Sequence, residues 1–350
     1  MIYINGRFLT QDLTGVQRFA EEISINLQFI RGDIIFLVPD IKSIKRNIIT
    51  ENINVQEVKG FKGHLWEQIT LPCFLLKRGK PLLVNLCNTA PVMYSNQIVT
   101  HHDITYIKYP KSFPLSFRLL YRLLSPLMLR NSRKVITVSN FSKKEISQHY
   151  SCPLDKINVI YNAASTNFKE EKKTNFEISD EYILAVSSTN YHKNFQGLID
   201  AFLATNLDIK LKIIGGAAGV FKRINLEKKD SRVQFIGRVD DAELIKLYQQ
   251  AKAFVFPSLY EGFGIPPLEA QACGCPVISS NKASMPEVLQ ESVLYFDPDL
   301  KGDISNKLEK ICNEQYCREL LIVKGLENVK RFSWIKSANK LNDLIEVVSN

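Results

Sequence analysis

The chain has 350 residues, of which 45% are hydrophobic and 23% charged, and it carries a net charge of +9. At roughly 100–200 residues per domain, this length predicts two domains, each able to bury a core. The composition excludes a disordered chain, and no apolar run approaches the roughly 18 residues of a membrane-spanning helix.

The opening MIYINGRFLT has no basic stretch followed by an apolar core, so an export signal is not expected there. The elements then follow in chain order. Residues 15–29 read as a helix. Residues 34–39, 82–86 and 97–100 read as short β-branched strands, 114–130 as a helix and 134–139 as a strand. Residues 166–180 are polar and charged and read as a linker. Strand-like runs resume at 182–187, 211–214, 233–236, 253–257 and 276–279, with helical patterns between them, such as 241–251. Alternating strands and helices predict an α/β protein with two Rossmann-like, doubly wound parallel sheets. The predicted division is residues 1–165, a linker at 166–180, and a second domain at 181–330.

Positive charge calls for a polyanionic partner: nucleic acid, an anionic membrane or a phosphorylated small molecule. No helix-turn-helix, zinc finger or RNA-binding motif is present, so no nucleic-acid partner is expected. The seven cysteines (Cys73, Cys87, Cys152, Cys273, Cys275, Cys312 and Cys317) are odd in number and lie in apolar surroundings. They read as reduced thiols of a cytoplasmic protein. Cys273 and Cys275 lack a second pair to complete a zinc set.

The most informative stretch runs from Pro257 to Pro276, PSLYEGFGIPPLEAQACGCP. A strand ends, Gly262 and Gly264 flank Phe263, and Ile265 with Pro266 and Pro267 opens a helix. Glycines allow a ligand close to the backbone, and the free N–H groups of a helix start attract anions. In open α/β sheets ligands bind beyond the carboxyl ends of the strands, where this loop falls. The pattern therefore points to a phosphorylated ligand.

Glu261 and Glu269, seven residues apart in EGFGIPPLE, followed by Ala270, Ala272, Cys273, Gly274 and Pro276, resemble the signature of the retaining glycosyltransferases of family 4. This is the group 1 family, which has the GT-B fold. The resemblance extends to YILAVSSTNYHKNFQGLIDAF (182–202), VQFIGRVDDAELIKLYQQA (233–251), TGVQRFAEEI (14–23), VTHHDITYIKYP (99–110) and FSW (332–334).

The resemblance implies two domains facing a cleft, an acceptor side at the N-terminus and a nucleotide-sugar donor side at 181–330. Residues 331–350 would form a helix crossing back to the first domain. Lys193 would bind the donor diphosphate, Glu261 would touch the donor sugar and support the transition state, and Glu269 would bind the ribose. Gly15 would let backbone amides approach the phosphate. His102 would reach the reaction centre, with its neighbour His101 an equal claimant on spacing alone. Many members carry an arginine five residues before the lysine, and here that position is Ser188. Arg238 is the candidate replacement. Asp297 and Asp299 mimic a metal-binding D-x-D, but the family has an Asp-Pro turn there, so neither metal nor cofactor is expected.

The activity so implied is sugar transfer from a nucleoside-diphosphate sugar to a saccharide or lipid-linked saccharide acceptor. The opening INGRFLTQDLTGVQRFAEEI and the loop STNYHKNF resemble bacterial surface-polysaccharide members, many of them mannosyl- or rhamnosyltransferases. GDP-mannose is the first choice of donor, with UDP- and dTDP-sugars as alternatives. A sugar-nucleotide epimerase of the same fold is the rival activity.

Residues 108–134 contain seven Lys or Arg and no acidic residue. A basic amphipathic helix of this kind predicts peripheral contact with an anionic membrane at the inner face of the plasma membrane. Phe113, Phe117 and Leu120 are the predicted apolar contacts.

Overall fold

The computed structural model describes residues 1–45, 53–170, 181–186, 190–215 and 230–349. The predicted linker stretch 171–180 and Ser188 lie outside the described residues. The chain forms two compact units. The first comprises Met1–Ile104, Pro114–Asn162 and the C-terminal residues from Ser333. The second comprises Thr105–Phe113 and Ala163–Phe332. The short excursion of residues 105–113 into the second unit has no counterpart in the sequence reading, because nothing in its composition marks a boundary.

The first unit is built on a seven-stranded parallel sheet: β1 (Ile2–Asn5), β2 (Ile34–Val38), β3 (Val55–Glu57), β4 (Leu83–Asn85), β5 (Gln97–Thr100), β6 (Lys134–Thr137) and β7 (Ile157–Val159). Their spatial order is β3-β2-β1-β4-β5-β6-β7. The chain therefore reverses its winding between β1 and β4, and a crevice opens at such a point beyond the carboxyl ends of the strands. The central strands are buried along their whole length, as both faces of a parallel sheet require.

Helix Gly15–Ile30 buries Phe19, Ala20, Ile23 and Leu27, one stripe at helical spacing. It packs against the C-terminal helix Trp334–Ser349 of the same unit, where Phe19 and Trp334 meet edge to face with ring centroids 6.1 Å apart. The segment Gly63–Leu76 is helical but widens to a π-turn over Trp66–Thr70, where the Leu71 amide donates to the Trp66 carbonyl. Pro72 accounts for this: a proline ring crowds the carbonyl four residues back, and a wider turn relieves it.

The second unit is built on a six-stranded parallel sheet: β8 (Tyr182–Val186), β9 (Lys210–Ile214), β10 (Val233–Gly237), β11 (Ala253–Phe256), β12 (Val277–Ser280) and β13 (Leu294–Phe296). Its order is β10-β9-β8-β11-β12-β13, so its winding reverses between β8 and β11. Ile183, Leu198, Phe202, Leu211, Ile213 and Val255 form the centre of its core. Both sheets confirm the doubly wound α/β class. All seven cysteines are free thiols. Among the described residues no helix is long and apolar enough to cross a membrane.

Candidate active site

The loops that follow β8 and β11, the two strands flanking the reversal point of the second sheet, carry the central pair. Lys193 ends a helical turn, Tyr191–Lys193, after β8, and Glu261 follows β11. The Lys193 Nζ donates to Glu261 Oε1 at 2.6 Å, and both side chains are largely buried. Three contacts fix these loops. The Leu259 amide donates to the His192 carbonyl at 2.7 Å. Ser284 Oγ donates to the Glu261 carbonyl at 2.9 Å. Ser280 Oγ donates to the Ser258 carbonyl.

Behind Glu261, Gly262, Phe263 and Gly264 are buried and lead into helix Ile265–Ala272, with Pro266 and Pro267 in its first turn. Gly264 caps the helix at φ +90°, and a Cβ there would lie 2.6 Å from Met285 Cε. The backbone conformation is what favours glycine here, since the Met285 methyl is the end of a flexible side chain that can move aside. No side chain caps the helix start. Pro266 and Pro267 have no N–H, so in the first turn only the Ile265 amide is left to meet an anion. Phe263 packs edge to face on Phe332 at 5.4 Å. Further along, Gln271 Nε2 donates to Ser292 Oγ at 2.7 Å, and Asn328 Nδ2 donates to Gln271 Oε1 at 2.9 Å. The second bond ties the helix to Gln315–Val329. Glu269 is buried, and it is one of the charges that, after burial itself, raise the Tyr248 phenol above its ordinary range.

The other sequence candidates belong to other elements of the chain. Arg238 is exposed at the carboxyl end of the edge strand β10, two strands from β8. Gly15 and His102 belong to the first unit. Gly15 is exposed at the start of its helix, and a Cβ would meet nothing within 4 Å. Helix Gly15–Ile30 has no side-chain cap, so its first amides are also open.

His102 is buried, with Nε2 3.3 Å from the Leu86 carbonyl and its ring edge to face on Phe19 at 5.0 Å. Burial lowers its pKa to about 4. It is a neutral imidazole at physiological pH, and a bond from Nε2–H to the carbonyl leaves Nδ1 as its acceptor. His101 is fully buried, and burial, then His102, lowers its pKa to about 3. Its ring meets Tyr150 edge to face.

Asp297 and Asp299 face Lys282, whose Nζ lies 2.8 and 2.7 Å from their carboxylates. This partner explains the D-x-D resemblance: the two carboxylates converge on an ammonium group. Among the described residues no group of three His, Cys, Asp or Glu could hold a metal ion.

The sequence marks residues 99–110 by resemblance and 108–134 by charge, but not that residues 105–113 belong to the second unit. Within the second unit, Tyr109 lies among the rings of Tyr191, His192 and Tyr260 at 5.8–6.5 Å. Phe113 stacks on His192 at 6.1 Å, and Ser112 Oγ lies 2.9 Å from His192 Nδ1. His192 and Tyr260 immediately precede Lys193 and Glu261 in the chain.

Comparison with known proteins shows the family and the fold. Residues 167–327 match the family profile described as glycosyl transferases group 1, and residues 75–168 match glycosyltransferase family 4. The chain is 32% identical over 259 residues to the O-antigen chain mannosyltransferase RfbU of Salmonella typhimurium, covering 72% of this chain and 71% of that protein. It is 29% identical over 260 residues to the O-antigen chain mannosyltransferase B of Escherichia coli, covering 70% and 68%. In fold it is similar to HepE of Anabaena, solved with UDP and glucose, with a TM-score of 0.77 and 16% identity over 99% of both chains. Two parallel α/β sheets, a lysine–carboxylate pair at a helix start and these matches together place the chain in the group 1 glycosyltransferases of family 4, as a hexosyltransferase of the GT-B architecture.

Proposed function

We propose that the protein transfers mannose from GDP-mannose, with retention of configuration, to a saccharide or lipid-linked saccharide acceptor in bacterial surface-polysaccharide synthesis. The observation that carries this reading is the Lys193–Glu261 pair. When a nucleoside diphosphate leaves the anomeric carbon, negative charge grows on the phosphate and positive charge on the sugar ring. A fixed ammonium and carboxylate 2.6 Å apart are complementary to that separation, and they need no reorganisation as it develops. The positive end of the dipole of helix Ile265–Ala272, with the Ile265 amide ahead of two prolines that have no N–H, adds positive potential for the diphosphate. Glu269, in the second turn of the same helix, is assigned to the ribose hydroxyls. Mannose follows from the two relatives named as O-antigen mannosyltransferases.

The test is a thermal-shift series with GDP, UDP and dTDP in the presence of EDTA. GDP is expected to raise the melting temperature most, since a ligand at a hundred times its Kd stabilises by about 2.7 kcal/mol. A shift with UDP or dTDP and none with GDP would replace the donor assignment. A shift that requires divalent metal would return Asp297 and Asp299 to the site.

A second feature supports peripheral membrane contact. Helix Leu115–Asn131 exposes Leu115 (63%), Leu119 (56%), Leu123 (63%) and Leu127 (41%), a row at four-residue spacing. Arg122 and Arg130 are also exposed on this helix. The apolar contacts expected from sequence are corrected here. Phe117 stacks on Tyr121 at 4.0 Å, Leu120 is half-buried, and Phe113 belongs to the second unit. Leucines beside arginines fit an anionic lipid surface, where each basic residue contributes about 1 kcal/mol. Binding to vesicles rich in anionic lipid is expected to fall with salt and to fall in the Leu119→Ser, Leu123→Ser double variant. Equal sedimentation with neutral and anionic vesicles would leave the row an ordinary surface.

A further inference from the structure

The reversal point of the first sheet holds a buried charged cluster that the donor site does not use. Asn5 and Asn85 end β1 and β4, the strands that flank the crevice, and Asn5 Nδ2 donates to Asn85 Oδ1 at 3.0 Å. Asn5 Nδ2 also donates to Glu67 Oε1 at 2.8 Å. Arg7, one turn beyond β1, donates from Nε to the same oxygen at 3.2 Å and from Nη2 to Thr89 Oγ1 at 2.9 Å. Glu67 is presented by the π-turn and its side chain is 2% exposed, while that of Arg7 is 11% exposed. Despite complete burial, the Glu67 carboxyl is held below its ordinary range by the Arg7 guanidinium, then by the polar groups of His64, Asn5 and Thr89 around it.

Three features distinguish this cluster from a structural ion pair. Burying an ion pair costs several kcal/mol per ion, and apolar residues of equal volume fill such a space as well or better. The cluster also sits at the one place in an open α/β sheet where ligands bind, on a turn widened to π geometry, a distortion frequent at functional sites. Finally, the cluster has an outlet. Arg7 Nη1 has no protein partner among the described residues. His64 is half-exposed, with Nδ1 3.4 Å from Glu67 Oε2.

We propose that Arg7, Thr89, Glu67 and His64 form a hydroxyl-binding subsite for the saccharide that receives the transferred sugar. This rests on the reading of the protein as a transferase with a saccharide acceptor. The charge balance selects the ligand class. Glu67 neutralises Arg7, so the site offers no net attraction to a phosphate. It offers guanidinium and imidazole donors that a carboxylate and a threonine hold in place. A hydroxyl accepts from Arg7 Nη1 and exchanges a hydrogen bond with His64. Each such bond to a charged group is worth about tenfold or more in affinity.

The test uses the full chain with GDP present and methyl glycosides of mannose, glucose, rhamnose and N-acetylglucosamine as probes, followed by saturation-transfer NMR. Wild type is expected to bind at least one glycoside. Arg7→Lys and Thr89→Val should weaken that binding at least about tenfold, with GDP affinity unchanged. His64→Leu should weaken it and His64→Gln should restore it, which a purely structural role would not produce. Because His64 is half-exposed, its variants keep the test valid if Arg7→Lys fails to fold. Absence of glycoside binding by the wild type, or equal binding by wild type and the folded variants, would overturn the subsite. Failure of wild type to bind GDP would instead overturn the donor reading.

Discussion

Replacing Glu261 by Gln is expected to lower kcat about a hundredfold or more, while GDP binds as tightly as before or more tightly. The first half follows from charge. A carboxylate facing a sugar that turns positive is stabilising only in the transition state, and removing one preorganised group of this kind costs about 10²–10³ in kcat. The second half follows from the ion pair. Glu261 occupies Lys193 at 2.6 Å. A neutral amide in its place frees the ammonium for the diphosphate and removes a negative charge from its neighbourhood. Lys193→Ala is expected to do the opposite: GDP affinity falls about tenfold or more, and kcat falls with it. Calorimetry with GDP and initial rates with the donor sugar separate the two variants. If Glu261→Gln weakens GDP as much as Lys193→Ala does, the two residues share a binding role, and the catalytic assignment of Glu261 fails.

The sequence made the donor-side loops legible because their chemistry is written locally. Glu261 through Pro276 fall in one continuous stretch, and the strand–glycine–proline–helix order can be read there residue by residue. What stayed hidden depends on packing. Gly264 reads as a flexible residue, but it is held at a φ of +90°, where side chains are disfavoured. Arg238 has the right charge and lies in a matching segment, yet its strand is at the sheet edge, which the sequence cannot order. β1 is only four residues, IYIN, too short for alternation to be counted against chance. The Arg7–Glu67 cluster is least legible of all. Its members come together only because β1 and β4 are neighbours in the sheet, and Glu67 sits in a helical turn whose widening is set by Pro72. The leucine row was half visible. The basic segment's pattern is helical in sequence, but which apolar residues face outward depends on the packing of Leu124, Met128 and Leu129 inward.

The stability of the first unit is expected to fall steeply as pH drops from about 6.5 towards 4, well before most carboxylates protonate. Burial holds His102 at a pKa of about 4 and His101 at about 3, against 6.5 in an exposed chain. In that window the unfolded chain binds protons that the folded chain refuses. Folding stability therefore rises with pH across the window and is lost as pH falls through it. Every tenfold weakening of proton binding in the folded chain is worth about 1.4 kcal/mol. Two such histidines remove on the order of several kcal/mol, a large share of the roughly 5–15 kcal/mol that holds a domain together. Glu67 acts lower on the scale. Its depressed pKa contributes stability above about 4.5 that is lost only as pH falls through its lower folded value. Urea titrations at several pH values, read by the fluorescence of Trp66 and Trp334, both in the first unit, would measure the slope. The His101→Phe variant should flatten it, since a phenyl ring keeps the edge-to-face contact with Tyr150 and cannot take a proton. A wild-type midpoint unchanged between neutral pH and pH 5 would show that these imidazoles are protonated in the folded state, and His102 would then be a cation at the site rather than a neutral hydrogen-bonding group.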